Sequence, residues 1–161
     1  TMPLGCVGID GITREHTPAD IAPGLRACLR EGAYEGFAEM FAVYMAFGRF
    51  DVQRVADRTA HQGLQVLLMN HFADIDPSEL EAAEEALVPL DASEALQDRL
   101  CRELFALGHP TYDPRYMIQH GIGAFRGDSE PLVPDFDADE AWRVVLVDER
   151  ECAQPSTGSP P

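Results

Sequence analysis

The segment from residue 33 to residue 50 constrains the fold most strongly, because it carries large apolar side chains on almost every side. A helix that is apolar around its whole circumference is typical of the centre of a domain, where neighbours cover every face. We therefore predict a mainly α fold, a compact helical domain of five to six helices built around this segment. The large apolar residues are Tyr34, Phe37, Met40, Phe41, Val43, Tyr44, Met45, Phe47 and Phe50.

Helix-start signals divide the rest of the chain. Thr17 offers an early cap, but Pro23 interrupts the pattern that follows and favours a first helix that begins near Pro23. Asp51 is suited to cap a second long helix. Asp76 and Asp91 each stand three residues before a Glu, which is a variant of the capping box. The predicted helices cover residues 23–30, 33–50, 51–72, 77–88, 92–107 and 114–120.

The apolar and β-branched residues 142–147 predict a strand after a loop over residues 127–140. One strand needs a partner. That partner would come from the glycine-containing segment 2–12 or from another subunit, which leaves an α+β fold and a homodimer open. The length suits one domain over residues 1–152, and the Pro, Ser and Gly residues of 153–161 predict a disordered tail.

Four cysteines, at positions 6, 28, 101 and 152, have no Cys-x-x-Cys or metal-finger spacing. No apolar run reaches the length of about 18 residues that a membrane span needs. We therefore expect a cytoplasmic protein with no membrane segment and no cofactor. In that compartment the cysteines are expected to be reduced thiols.

Charge restricts the class of partner. The chain has 28 acidic and 12 basic residues, the latter all Arg, and a net charge of −16. Such a charge repels phosphate backbones and anionic lipid headgroups, which disfavours nucleic-acid and membrane partners. Residues 76–161 hold 19 of the acids and six Arg, so the excess belongs to the second half. This surface favours a basic partner.

The first functional hypothesis is a small acidic interaction protein, of the inhibitor, immunity or chaperone type. It would bind a basic protein partner through residues 76–151. Mimicry of DNA by ordered carboxylates is a special case of this hypothesis, and salt adaptation is a competing cause of the same acidity. The predicted partner-binding residues are Glu79, Glu81, Glu84, Glu85, Asp135, Asp137 and Asp139.

The second hypothesis is a small enzyme or metal-binding protein. Two imidazoles and a carboxylate lie close together in the sequence, where they could supply acid–base chemistry. They belong to His109, His120 and Asp113, and Tyr112 is nearby. Cys101, His109 and His120 form the corresponding metal-ligand set. Their spacing matches no established metal motif, and a structural alternative has Asp113 capping a helix that ends near His120. Whether the protein is an enzyme is therefore left open.

Overall fold

Eight helices make up most of the computed structural model, which describes residues 2–127 and 130–155. The mainly α prediction is confirmed, although two of the observed helices are very short. Two 3₁₀ turns, Ile9–Gly11 and Arg58–Gln62, and a π-helical segment, Val144–Glu149, complete the regular structure. The helices are α1 (Pro18–Glu31), α2 (Tyr34–Arg54), α3 (Gly63–His71), α4 (Pro77–Ala92), α5 (Glu94–Leu107), α6 (Arg115–Ile118), α7 (Ile122–Arg126) and α8 (Ala138–Arg143).

Helix α2 is the central helix, as its apolar sequence predicts. It packs against α1, α4, α5, α8 and the π-helical segment. Phe47 and Tyr44 are fully buried, and the Tyr44 hydroxyl donates a hydrogen bond of 2.6 Å to the carbonyl of Leu64 in α3. Within the described residues, no helix is both long and apolar enough to cross a membrane.

The end of α2 corrects the prediction that Asp51 begins a new helix. Helix α2 continues through Asp51 to Arg54, and the chain then turns through residues 58–62 before α3 begins. Asp51 is fully buried instead of capping a helix at the surface. It follows Phe47 by four residues, so it lies on the buried face of the same helix.

Helix α1 begins earlier than predicted. Thr17 and Asp20 form a capping box, in which the Asp20 amide donates to the Thr17 hydroxyl and the Thr17 amide donates to the Asp20 carboxylate. Pro18 occupies the first turn, where a missing amide hydrogen costs little. Pro23 is accommodated inside the helix.

Helices α4 and α5 form the predicted helical hairpin. Helix α4 is capped by Asp76, as expected, but it continues through Pro89 to Ala92. Ser93, and not Asp91, caps α5 by accepting a hydrogen bond from the Leu96 amide. The hairpin packs on α2 through α4 and α5.

The strand predicted at residues 142–147 is wrong. Asp137 caps α8, and the helical path continues through residue 149, which buries Trp142, Val145 and Leu146. The apolar run is therefore the buried face of a helix that packs on α2. Because no strand forms here, the reason to expect a partner strand from another subunit disappears. The described residues contain one isolated antiparallel bridge, between Val55 and Leu132.

The prediction of reduced thiols is also wrong. Cys6 is bonded to Cys28, and Cys101 is bonded to Cys152. Folding brings the paired Cα atoms to 4.8 and 5.7 Å, although the partners are 22 and 51 residues apart in the sequence. The first bond fixes the N-terminal segment to α1, and the second fixes the segment after the π-helical turn to α5.

Closing these loops is expected to stabilise the protein by about 3 kcal/mol for Cys6–Cys28 and about 4 kcal/mol for Cys101–Cys152, in the chain-entropy account. The denatured protein should react with no thiol reagent until a reductant is added. In urea titrations, the free energy of unfolding should fall by about 3 kcal/mol in Cys6→Ser and by about 4 kcal/mol in Cys152→Ser. Alkylation of the unreduced wild type would contradict the pairing.

Candidate functional site

The residues of the predicted enzyme site have separate neighbours. The His109 ring stacks on Phe50, with centroids 5.4 Å apart. Asp113 is exposed and lies 3.6 Å from the guanidinium of Arg115. His120 belongs to the turn after α6, where its carbonyl accepts a long contact of 3.5 Å from Gln62. The contacts of His109, Asp113 and His120 therefore lead to different neighbours, and no hydrogen bond or ion pair joins the three side chains among the described residues.

Tyr112 and Cys101 are committed to other interactions. The Tyr112 hydroxyl donates 2.6 Å to the buried carboxylate of Asp51. The sulfur of Cys101 is in the disulfide with Cys152, so it offers no thiolate for the predicted metal set. Among residues 2–127 and 130–155, no group of three His, Cys, Asp or Glu side chains could hold a metal ion.

A buried polar network lies where the enzyme site was predicted, and it contains residues that the sequence did not single out. One carboxylate oxygen of Asp51 accepts 2.7 Å from Arg54, and the other accepts 2.6 Å from each of the Tyr112 and Tyr116 hydroxyls. The Arg54 guanidinium also lies over the rings of Phe50 and Tyr112, at 5.1 and 4.9 Å. The network joins α2 to the segment that contains α6.

Burial dominates the acid–base properties of this network. It raises the pKa of Asp51, while the positive charge of Arg54 and the hydroxyl donors oppose that shift. Burial also raises the pKa of Tyr112 and of Tyr116, and the neighbouring Asp51 charge adds to the effect. A fully buried carboxylate with three donors is well suited to fixing helices together. Asp51 has no exposed surface, so a substrate in solvent cannot reach it in this structure.

The change Asp51→Asn should destabilise the protein by about 3–5 kcal/mol, because it leaves the buried Arg54 charge without its counter-ion. Tyr116→Phe removes one hydrogen bond and should cost about 1 kcal/mol. Urea denaturation measures both effects. Asp98, exposed and without an ion pair to any described residue, provides a control, since Asp98→Asn should change stability by less than about 0.5 kcal/mol. An effect of Asp51→Asn no larger than that of the control would contradict the role of the network.

The predicted partner-binding acids divide into groups with different surroundings. Glu79 lies 2.8 Å from the buried guanidinium of Arg26, which also donates 2.8 Å to Asp74 and 2.7 Å to the carbonyl of His71. Arg26 thereby links α1 to the end of α3 and the start of α4. Glu79 is therefore mainly a structural residue, with a side chain only 18% exposed.

The three aspartates before and within α8 also differ in role. Asp137 caps α8 by accepting 3.1 Å from the Glu140 amide. Asp139 approaches the His109 ring at 3.6 Å. Asp135 is exposed and forms no ion pair with the described residues. Two of these carboxylates are thus at least partly engaged within the protein.

The remaining predicted acids lie on one exposed surface of α4. Small residues, Ala82, Ala83 and Ala86, face inwards and let α4 pack closely on α2, so the larger residues point outwards. We name this surface the α4 outer face. It consists of Leu80, Glu81, Glu84, Glu85 and Val88, all exposed, with Leu80 and Val88 exposed by 49% and 60%.

The α4 outer face is electrostatically unfavourable to the isolated protein. Glu81 is three residues from Glu84 and four from Glu85, the spacings at which like charges on a helix repel. None of these carboxylates forms an ion pair with a residue that the structure describes. Asp91, Glu94 and Asp98, which continue the acidic surface around the start of α5, are also exposed and unpaired there.

Comparisons with known proteins identify no family for this chain. The chain matches no protein-family model, no curated protein and no solved structure. Its function therefore has to be inferred from its own residues.

The cap that begins α4 makes a pH prediction. The Ser78 hydroxyl and the Glu79 amide donate to Asp76 at 2.7 and 2.8 Å, and these hydrogen bonds lower the pKa of Asp76 from its ordinary value of 3.8. A carboxylate with a lowered pKa stabilises the fold above its unfolded-state pKa, and that contribution is lost as the pH falls through the folded-state pKa.

Asp76→Asn retains a capping side chain but removes the titration. The difference in unfolding free energy between wild type and Asp76→Asn should therefore be constant well above pH 3.8 and should shrink as the pH is lowered from 3.8 through the lowered pKa of folded Asp76. Urea titrations at a series of pH values measure it. A difference that stays constant below pH 3.8 as well would show that the Asp76 carboxylate gains nothing from its position.

Proposed function

We propose that the protein is an interaction protein that binds a basic protein partner through the α4 outer face. The observation that carries this proposal is a set of repelling carboxylates, Glu81, Glu84 and Glu85, which lack ion pairs among the described residues and are flanked by the exposed apolar residues Leu80 and Val88. A basic partner would relieve the repulsion and cover the apolar side chains together. The positive charge of the partner would also be attracted to these carboxylates at a distance, which accelerates association.

The proposed surface is narrower than the one predicted from sequence. Glu79 and Asp137 have structural partners inside the protein, so they have less freedom to bind a second chain. Asp135 and Asp139 lie in another part of the chain, so removing their charges provides a comparison with removing charges from the α4 outer face.

Salt adaptation and enzyme or metal-binding activity are less well supported. Salt adaptation would explain acidity anywhere on the surface, but it does not account for the exposed Leu80 and Val88 among the carboxylates. An enzyme or metal site would require His109, Asp113 and His120 to act together, and each has a different neighbour. No described feature favours that second function.

We further propose that the protein acts in an oxidising compartment instead of the cytoplasm. A cytoplasmic protein is expected to keep its cysteines as reduced thiols, whereas all four cysteines of this chain are paired. Structural disulfides persist in secreted and periplasmic proteins and are rare in the cytosol.

The binding proposal is tested with an amphipathic helical peptide of leucine and lysine as the basic probe, titrated by calorimetry at low salt into the full chain. The triple variant Glu81→Gln/Glu84→Gln/Glu85→Gln should weaken the affinity by about tenfold or more, because it removes three attractive charges. The variant should be as stable as the wild type or slightly more stable, since it also removes the repulsion.

The matched control is Asp135→Asn/Asp137→Asn/Asp139→Asn, which changes the net charge by the same amount and keeps a capping side chain at position 137. It should change the affinity by less than about twofold. Equal losses from the two triple variants would show that the peptide responds to net charge alone. No binding by the wild type would contradict the proposed function.

A further inference from the structure

A groove beside the α4 outer face has the chemistry of a side-chain pocket. It has a volume of about 380 Å³ and lies where the first turns of α2 meet the corner between α4 and α5. Its lining is mainly apolar, with two carboxylates, from Glu35 and Glu85. The lining residues are Tyr34, Glu35, Ala38, Glu85, Ala86, Pro89 and Leu96.

The apolar part of the groove fits the stem of a long side chain. Pro89 is exposed and Leu96 is partly exposed, so both offer aliphatic surface against which the methylene groups of Arg or Lys pack favourably, above the buried Ala38 and Ala86. Tyr34 is 40% exposed, so part of its surface is available to a ligand. An aromatic face attracts a cation, and it attracts a planar guanidinium particularly well because the two groups also stack.

The polar part of the groove supplies acceptors for a cation. Glu85 is exposed and forms no ion pair with the described residues. Glu35 is 3.2 Å from Arg99, but Arg99 also contacts Glu39 and Glu103, so one positive charge serves three carboxylates. The charge around the groove therefore remains negative.

Pro89, which lines the groove, leaves one backbone carbonyl of α4 without its usual helical donor. It lies inside α4, and it has no amide hydrogen to donate to the carbonyl four residues earlier, which belongs to Glu85. That carbonyl oxygen has one fewer helical donor than its neighbours. A guanidinium carries five N–H donors in a fixed plane, so it benefits more than an ammonium from several acceptors close together.

The protein already binds its own arginines in this way. Arg54 lies over Phe50 and Tyr112 and pairs with Asp51. Arg26 lies 5.6 Å from the centre of the Phe72 ring and pairs with Asp74 and Glu79. The groove offers the same combination, an aromatic ring beside carboxylates, without an arginine of its own among its lining residues.

We propose that this groove binds an arginine side chain of the basic partner, with Tyr34 against the guanidinium and Glu85 and Glu35 as its acceptors. This inference rests on the proposed function, since the same partner would cover the α4 outer face. It adds a preference for arginine over lysine, which net charge alone does not give.

The test compares the leucine–lysine peptide with its leucine–arginine counterpart, titrated into the full chain with both disulfides intact. The arginine peptide should bind about fivefold more tightly, and Tyr34→Leu should abolish that preference while leaving lysine-peptide binding nearly unchanged. Circular dichroism of Tyr34→Leu checks that its helices are retained.

Glu85→Gln and Glu84→Gln provide a matched pair, because both remove one exposed charge from the same helix but only Glu85 lines the groove. Glu85→Gln should weaken the arginine peptide more than Glu84→Gln does. If both peptides bind equally and Tyr34→Leu has no effect, the arginine pocket is wrong while the proposed function stands. If neither peptide binds, both are wrong.

Discussion

The buried carboxylate of Asp51 is the interaction on which the arrangement of the helices most depends. A charged group without solvent is tolerated only when donors surround it, and Asp51 receives three, from Arg54, Tyr112 and Tyr116. These donors fix the end of the central helix α2 to the chain after α5. The ring of Trp142, which packs against Phe47 of α2, completes the same core.

The exposed surface follows from this internal order. Once α2 is fixed, the alanines of α4 let that helix pack on it, and the buried Arg26 holds the start of α4 through Glu79. The orientation of α4 then exposes Glu81, Glu84 and Glu85 together. Their mutual repulsion lowers the stability of the fold locally, and the core and the two disulfides offset this loss. Such local destabilisation is characteristic of binding surfaces.

Sequence patterns predicted the central helix and the α4–α5 hairpin, because apolar periodicity and caps act over a few residues. They failed where distant contacts decide the structure. Asp51 has a capping residue's chemistry but is buried by Tyr112, 61 residues away in the sequence. Residues 142–147 have strand-like composition, yet burial against α2 makes them helical, and the Asp137 cap before them was the overlooked signal. The cysteine pairs and the separate surroundings of His109 and His120 likewise depend on the tertiary fold.

The most direct test of the account is a map of the binding surface by NMR, in which the isotope-labelled protein is titrated with the leucine–lysine peptide. We predict that the largest changes in backbone amide shifts will fall in residues 80–88 of α4 and at the start of α2. Residues 130–139 should change little. Changes centred on residues 130–139, or small changes spread evenly over the acidic residues, would contradict the claim that the α4 outer face is the binding surface.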